Sequence, residues 1–200
     1  TVRVKDVTSS SFRVRIDEWE CWDESHLFET IPYIVVEAGV HELVNGKLLQ
    51  AGNIEGRDHQ WYRQRFNRSF NEEPLVFGQC VTENEAEAVN VFFDERYSNT
   101  NQLRLKLKER DNAIGGHKPE IVSWLAVEPG TLTEGDSSFE MINSGRTVNH
   151  NWHTLNFSQN YDDNALFIGG LGSEYGGNAA SLRYKELKGT DVRVFVEEEI

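Results

Sequence analysis

The chain has 200 residues, and its 33 acidic side chains outnumber its 20 lysines and arginines, which gives a formal net charge of −13 at pH 7. This balance excludes nucleic acid and anionic membrane surfaces as expected partners, because both bind basic surfaces. The sequence contains no run of about 18 apolar residues, the length needed to cross a bilayer. The one methionine, Met141, is internal, which indicates a processed protein or a part of a longer one.

The predicted elements are strands throughout. In chain order they are residues 12–18, 31–36, 48–56, 74–77, 103–109, 121–127, 165–168 and 192–198. The first, fifth and last alternate apolar and polar residues, which is typical of half-buried strands. The second and sixth are continuous apolar runs and therefore predict central strands. Glycine- and asparagine-rich turns separate the runs, and the pattern predicts an all-β fold of antiparallel sandwiches.

An internal repeat organises these elements. Residues 12–18 resemble residues 103–109, which begin 91 positions later, and the match continues at that offset without a gap. The identical pairs include His26 with His117, Glu29 with Glu120, Val36 with Val127, Glu37 with Glu128, Gly39 with Gly130, His59 with His150, Trp61 with Trp152, Phe66 with Phe157 and Gly78 with Gly169. An ungapped match of this length predicts a duplication.

A third, partial copy lies at the two ends of the chain. Residues 2–7 and 12–18 resemble residues 182–187 and 192–198, at an offset of 180 positions. The repeat period is therefore about 90 residues, a usual size for one small β domain.

The chain ends cut through this repeat. We predict that residues 47–130 form one complete antiparallel β-sandwich. Residues 1–46 and 131–200 are partial units, which we expect to form a second β-sandwich together.

The complete unit carries a series of residues in a fixed order. The series is a glycine-containing strand at 48–56, Trp61, Phe66, Phe70, Pro74, a strand at 103–109 and the sequence Val-Ser-Trp-Leu-Ala at 122–126. It resembles the H-type lectin domain, the family of the snail agglutinins and of the C-terminal part of the slime-mould discoidins. The resemblance covers about 80 residues, and the flanking partial copies repeat parts of it.

The resemblance implies a six-stranded antiparallel sandwich that binds galactose or N-acetylgalactosamine and assembles into trimers or hexamers. It places the sugar sites at subunit junctions, just before Trp61 and in the loop that leads into the last strand. In this sequence those regions are residues 55–59 and 110–117. The candidate carbohydrate-binding residues, together with those of the neighbouring copies, are Trp22, His26, Glu29, Asp58, His59, His117, Glu120 and His150.

One polar set occurs in two copies, as Glu18, His26 and Glu29 and again as Glu109, His117 and Glu120. Carboxylates and an imidazole on one loop can hydrogen-bond sugar hydroxyls or hold a cation. Alternatively, the carboxylates orient the histidine and fix the loop to the next strand, because buried polar groups need partners. The second interpretation is preferred. No metal site is predicted, since one histidine with carboxylates is an uncommon zinc ligand set.

The tryptophans fall into two groups. Trp22 lies in a loop of the first copy, where its indole can stack on a sugar, cap the sandwich or contact another subunit. Trp61, Trp124 and Trp152 lie within strand patterns, so we predict that they are core residues.

Two covalent modifications are suggested by the sequence. A disulfide between Cys21 and Cys80 would suit an extracellular protein, and the alternative is two free thiols, one of them buried in the strand that starts at Pro74. Asn67 and Asn156 each begin an Asn-x-Ser triplet, the acceptor motif for N-glycosylation.

No cofactor is predicted. The acidic stretches at 83–87 and 197–199 can bind Ca²⁺ loosely or lie as solvated charge, and the sequence has no dedicated calcium loop. Because it also contains no Gly-x-Ser-x-Gly elbow, His-Glu-x-x-His helix or P-loop, we do not expect an enzyme.

Together these features predict a non-catalytic extracellular carbohydrate-binding repeat protein whose partner is a glycan or polysaccharide. The alternative is a structural scaffold that self-assembles, or binds another extracellular protein, in a matrix or at a mineral surface. The cut through the repeat favours the alternative, because strand exchange between copies builds open assemblies.

Overall fold

A computed structural model of the chain describes residues 1–17, 26–109, 116–134, 136–162, 165–173 and 175–198. Within these ranges the secondary structure is strand and turn, with no helix that could cross a membrane. The strands are β1 Val2–Lys5, β2 Arg13–Ile16, β3 Gly39–Glu42, β4 Leu48–Arg57, β5 Tyr62–Arg65, β6 Leu75–Cys80, β7 Asn90–Phe93, β8 Gln102–Lys108, β9 Glu120–Val127, β10 Gly130–Glu134, β11 Ser137–Met141, β12 His153–Asn156, β13 Ala180–Lys185 and β14 Asp191–Glu198. All the strand pairs are antiparallel, which confirms the predicted all-β class.

Strands β3 to β9 form two facing sheets. One has the strand order β3-β4-β9-β6, and the other has the order β5-β8-β7. The hydrophobic core lies between them and consists of Leu48, Ile54, Phe70, Cys80, Val89, Phe93, Leu103, Leu105, Leu107, Val122, Trp124 and Ala126. All of these residues belong to the middle of the chain, where a complete unit is predicted.

Strand β8 shows how the sequence pattern positions this core. Leu103, Leu105 and Leu107 are at most 1% exposed, whereas Arg104 and Lys106 between them face outward. Truncating one such buried leucine to alanine costs about 2–5 kcal/mol, through lost burial and the cavity left behind. The period-two pattern is therefore the main determinant of which face of β8 is buried.

Two glycines that match in the repeat mark close contacts. A Cβ atom at Gly78 would lie 2.8 Å from Cγ1 of Val91, and one at Gly169 would lie 2.7 Å from Cδ2 of Leu182. Both distances are shorter than any carbon–carbon packing contact. Residues 169 and 182 each lie 91 positions after residues 78 and 91. The same close approach of a glycine to an aliphatic side chain therefore occurs at matching positions of the two segments.

The C-terminal part contains a three-stranded sheet with the order β12-β14-β13, which matches the order β5-β8-β7. In the middle sheet Leu105 lies opposite Tyr62 on one side and Phe93 on the other. In the C-terminal sheet Val194 lies opposite His153 and Tyr184. Strand order and register are thus the same in both sheets.

The hairpin β1-β2 matches the hairpin β13-β14 in register. Lys5 lies opposite Arg13, and Lys185 lies opposite Arg193. Each first strand is followed by an acidic residue with a φ of 53°, Asp6 in one hairpin and Glu186 in the other. Aspartate adopts this left-handed conformation more readily than most residues, because its short polar side chain bonds locally, whereas Glu186 adopts it without that advantage.

An arginine–carboxylate pair recurs beside each of three hairpin turns. Arg13 lies 3.4 Å from Asp6, and Arg193 lies 3.2 Å from Glu186. In the middle unit Arg104 at the equivalent place lies 3.0 Å from Asp94. The Arg193 hydrogen bond holds the pKa of Glu186 below its ordinary value.

Two predicted strands are wrong. Residues 31–36 and 165–168 form no strand, and large side chains there are exposed, with Val35 at 76% and Leu166 at 84%. The matching segment β9 is hydrogen-bonded to β4 on one side and β6 on the other. Within the described ranges residues 31–36 have no neighbouring strands, so most of their apolar side chains are not buried. Likewise β1 and β2 pair only with each other there.

The core prediction for the tryptophans is correct for Trp124, which is 6% exposed, and wrong for the other two. Trp61 lies against the solvent-facing side of β8, where Lys106 Nζ is 4.4 Å from the ring centroid. Trp152 is 39% exposed, and Lys185 Nζ lies 4.1 Å from its ring centroid. Both rings cover the outer face of a sheet and contact its cationic side chains, which is a favourable arrangement.

Candidate functional site

The most buried polar cluster lies where β8 ends and β9 begins. The side chain of His117 is fully buried, and its Nδ1 contacts Oε1 of Glu109. Its Nε2 lies 3.1 Å from Oε1 of Glu120, the first residue of β9. Each ring nitrogen of His117 therefore faces a carboxylate oxygen.

Glu120 is the centre of this cluster and is 1% exposed. Its carboxylate accepts hydrogen bonds from the backbone N–H of Asn84, at 2.8 Å, and from the hydroxyl of Thr82. That hydroxyl in turn accepts the N–H of Ile121 at 2.8 Å. These hydrogen bonds join the 82–84 segment to the first residues of β9.

An arginine enters the cluster from the N-terminal hairpin. Arg3 is 2% exposed, and it donates to the backbone carbonyls of Glu87, Thr82 and Glu85 at 2.9, 3.3 and 3.3 Å. Its Nη2 also lies 3.5 Å from Oε1 of Glu120. Arg3 is not among the predicted site residues, although its match with Arg183 in the partial copies is visible in the sequence.

The surrounding acidic stretch pairs with the same hairpin. Lys5 contacts Glu83, and Arg15 lies 2.8 Å from it. The Lys5 hydrogen bond lowers the pKa of Glu83. Glu85 accepts the N–H of Lys118 at 2.6 Å. Residues 83 and 85 are therefore bound to neighbouring parts of the chain, and their predicted loose calcium binding stays a prediction.

Three ligand-type atoms of this cluster, from Glu85, Glu109 and His117, lie within 4.8 Å of one another. The histidine nitrogen nearest to Glu85 is already hydrogen-bonded to Glu109. A cation there would have to replace that bond and take its place beside Arg3. The hydrogen bonds among its described residues account for the geometry of the cluster.

Asp58 and His59 lie beside this cluster because strand β4 ends in a bulge. The register with β9 shifts between Ile54 and Arg57, and Gly56 has a φ of 67° there. The extra residue bends the strand. Asp58 then accepts the N–H of Gln60 at 2.7 Å through its side chain.

His59 is exposed and lies against Gly116, the residue before His117. A Cβ atom at Gly116 would be 2.5 Å from Cε1 of His59, and Gly116 has a φ of 75°. A larger residue would not fit in that conformation. The two regions in which the lectin resemblance places sugar sites thus meet at this point.

The other predicted site residues lie elsewhere. His26 is 3.6 Å from Glu29, with side-chain exposures of 32% and 56%, so this copy is more open than the His117 cluster. His150 is exposed, and its Nε2 lies 3.2 Å from Nδ2 of Asn151. Trp22 falls outside the described residues, as does Glu18.

The predicted modification sites are partly described. Cys80 is buried, and burial raises the pKa of its thiol to about 11. Cys21 lies outside the described residues, so the disulfide stays a prediction. Asn67 and Asn156 are both exposed, which is the orientation that glycosylation requires.

No family model and no solved structure matches the chain. Over 200 residues it is 30% identical to part of halomucin from Haloquadratum walsbyi. The alignment covers 98% of this chain and 2% of halomucin, so the chain spans about 2% of the length of the curated relative it matches. Halomucin is therefore a far longer chain than this one.

Proposed function

We propose that this chain is a non-catalytic structural repeat module of a large secreted or cell-surface protein. The observation that carries the proposal is the recurrence of one hairpin design. The hairpins β1-β2 and β13-β14 share their register, a left-handed acidic residue at the turn and an arginine–carboxylate pair. Repeat proteins are built from such recurring units, each contacting its neighbours.

The buried cluster supports the same proposal. The polar groups of His117, Glu120 and Arg3 are directed at one another and at backbone groups, and all three residues are buried. Catalytic groups need a pocket and access to substrate. These side chains instead join the N-terminal hairpin to the sandwich, which is a structural task.

The secreted or surface location rests on two supports. The chain matches a small part of a very long relative, as a module of a repeat array does. Its net charge of −13 keeps a protein that is exposed to solvent outside the cell in solution.

Antibody labelling tests this location and the module's context. Antibodies raised against the purified chain should label intact producing cells, or the medium, as strongly as lysed cells. An antibody to a cytoplasmic protein of the same cells serves as the control, because it should label only after lysis. Labelling by the chain-specific antibodies only after lysis would refute the proposal.

Carbohydrate binding is a second candidate function, favoured by the close approach of His59 to Gly116. An exposed imidazole can bond sugar hydroxyls, and shallow sites of this kind gain strength through valency. A glycan array, with and without Ca²⁺, tests it. Binding that is lost in His59→Ala and kept in His150→Ala would support this candidate, and a blank array with folded protein would remove it.

A further inference from the structure

Positive side chains gather on the outer face of the sheet β5-β8-β7, in a chain whose net charge is −13. The leucines of β8 face the core, so Arg104 and Lys106 face outward. Arg63 of β5 lies opposite Arg104 in the register of the two strands. Arg65 follows two positions later and therefore points to the same side. These four side chains form the cationic face.

The cationic face brings like charges together without enough acid to balance them. Arg63 and Arg104 lie directly opposite across an antiparallel pair, an arrangement that destabilises a sheet. Within the part of the chain that the structure describes, Arg63 and Arg65 form no ion pair, although the sequence has 33 acidic residues for 20 lysines and arginines. Arg104 shares the buried carboxylate of Asp94 with Arg96. An anion from outside the chain would relieve this excess of positive charge.

Two aromatic side chains hold the cations of this face in place. The ring centroid of Tyr97 lies 5.6 Å from the guanidinium carbon of Arg63 and 4.4 Å from that of Arg104. The ring centroid of Trp61 lies 4.9 Å from Cζ of Arg104 and 4.4 Å from Nζ of Lys106. Tyr97 is 46% exposed, and Arg63 is exposed as well. The face is therefore an ordered surface of rings and positive charge that a partner can reach.

The C-terminal sheet repeats the centre of this arrangement. Trp152 matches Trp61 at the 91-residue offset, and Arg193 takes the place of Arg104 in the register of the sheet. Nζ of Lys185 and Cζ of Arg193 lie 4.1 and 5.7 Å from the ring centroid of Trp152. That ring is 39% exposed. A tryptophan with two cations against it therefore recurs on the outer faces of both three-stranded sheets.

We propose that the cationic face binds an acidic polysaccharide, a chain of sugar rings that carries sulfate or carboxylate groups. Arginines such as Arg63 and Arg65 bond anions of this kind through paired N–H donors. The rings of Trp61 and Tyr97 present flat apolar surface with a polar edge, which suits the carbon face and the hydroxyls of a sugar. The inference goes beyond the proposed structural role, and the choice of a polysaccharide rests on the proposed location outside the cell.

The net charge of the whole chain does not prevent such a contact. At an ionic strength of about 0.15 M, exposed charges farther apart than about 8 Å are largely screened, so a polymer on the cationic face responds mainly to the arginines beside it. Trp152 with its two cations offers a second, weaker contact, and several contacts along one polymer multiply the affinity. Binding should therefore be strongest for long polymers and should weaken as NaCl is added.

Polymers that differ in charge test the proposal. The intact chain should bind immobilised dextran sulfate and should not bind neutral dextran. Polygalacturonate, measured in parallel, distinguishes carboxylates from sulfates, and binding to either anionic polymer supports the proposal. Poly-glutamate and single-stranded oligothymidylate are the competitors, because they carry negative charge on a peptide and on a nucleic acid. If either displaces the chain from dextran sulfate as well as free dextran sulfate does, the polysaccharide is overturned as the partner.

The substitution Arg63→Glu separates binding from folding. The Kd for dextran sulfate should rise by about tenfold, because one ion pair is lost and one repulsion is added, each changing the Kd by up to about fivefold. The new carboxylate faces Arg104 and replaces a like-charge pair by an opposite-charge pair, so Tm should not fall. Arg63→Lys keeps the charge and should retain most of the binding.

The matched control is Arg68→Glu. It makes the same change of charge at an exposed arginine that pairs with Glu42 in the other sheet. Because Arg68 lies outside the cationic face, its substitution should leave the Kd within about twofold of the parent value. Equal Kd values for Arg63→Glu and Arg68→Glu would overturn the proposal.

The fluorescence of Trp61 reports where the polymer lies. Dextran sulfate should change the tryptophan emission of the parent, and Trp61→Phe should remove most of that change. An unchanged response in Trp61→Phe, or a chain that binds neither anionic polymer, would overturn the assignment of this face. None of these results bears on the antibody labelling, so failure of this inference and failure of the proposed function are distinguishable.

Discussion

The buried carboxylate of Glu120 allows a quantitative test of the cluster's structural role. Glu120→Gln keeps the shape of the side chain but removes the charge that faces His117 and Arg3. Hydrogen bonds to a charged group contribute about 1.5–3 kcal/mol each, and breaking a buried ion pair costs about 3–5 kcal/mol. Because Gln keeps one acceptor oxygen, we expect a loss of about 3 kcal/mol in the free energy of unfolding.

The internal repeat supplies the control for this substitution. Glu29 is the equivalent residue in the first copy, and its side chain is 56% exposed. Glu29→Gln should therefore change the free energy of unfolding by less than about 0.5 kcal/mol. The same chemical change is thus made in a buried and an exposed copy of one motif.

Urea unfolding followed by tryptophan fluorescence measures both variants, because Trp124, one of the five tryptophans, lies in the core on the same strand as Glu120. Unfolding midpoints at an unchanged urea dependence convert directly to free energies. For a chain of this length a loss of about 3 kcal/mol lowers Tm by roughly 6–12 °C. Equal effects of the two substitutions would refute the structural assignment of the cluster.

Three further predictions follow from the buried and charged groups. Burial raises the pKa of Glu128, but the backbone N–H groups of Leu48 and Asn71 outweigh it and hold this pKa below its ordinary value. Such a group stabilises the fold above its unfolded pKa of about 4.3 and loses that effect as the pH falls through the lower, folded value. Urea unfolding between about pH 7 and 3 should therefore show declining stability, with a flatter decline in Glu128→Gln; an equal slope would contradict this. In a Cys21→Ser variant, the buried thiol of Cys80 should react with a thiol reagent at neutral pH only after unfolding, and fast labelling of the native chain would disprove its burial. Added NaCl should raise Tm, because salt screens the repulsion within a chain of net charge −13; a steady fall in Tm would show that the ion pairs dominate instead.

Much of the fold follows from local sequence pattern. The alternation around Leu105 predicts strand β8 and its buried face, and the continuous run at 121–127 predicts the central position of β9. The recurrence of His117 and Glu120 predicts a fixed polar cluster, since burying such groups requires partners. Each of these features depends on residues close to it in the sequence or on its matching copy 91 positions away.

The remaining features depend on contacts that a single segment does not encode. Residues 31–36 and 121–127 share one pattern, yet within the described part of the chain only the second has strands on both sides. Trp61 and Trp152 look like core residues, but which face of the sheet they cover depends on the register with β8 and β14. Arg3 is polar and near a chain end, so nothing local to it indicates that it is buried in another unit.

The burial of Arg3 means that the boundary of the repeat in sequence is not a boundary of folding. The hairpin β1-β2 belongs by sequence to the preceding repeat, yet its arginine is held by the 82–87 loop of the middle unit. A unit cut out at the sequence boundary would lose this contact and leave Glu120 without one of its cations. In the proposed array, tension along the backbone would pass through such contacts as well as through the chain that joins the units. Neighbouring units would then unfold as coupled pairs rather than one at a time.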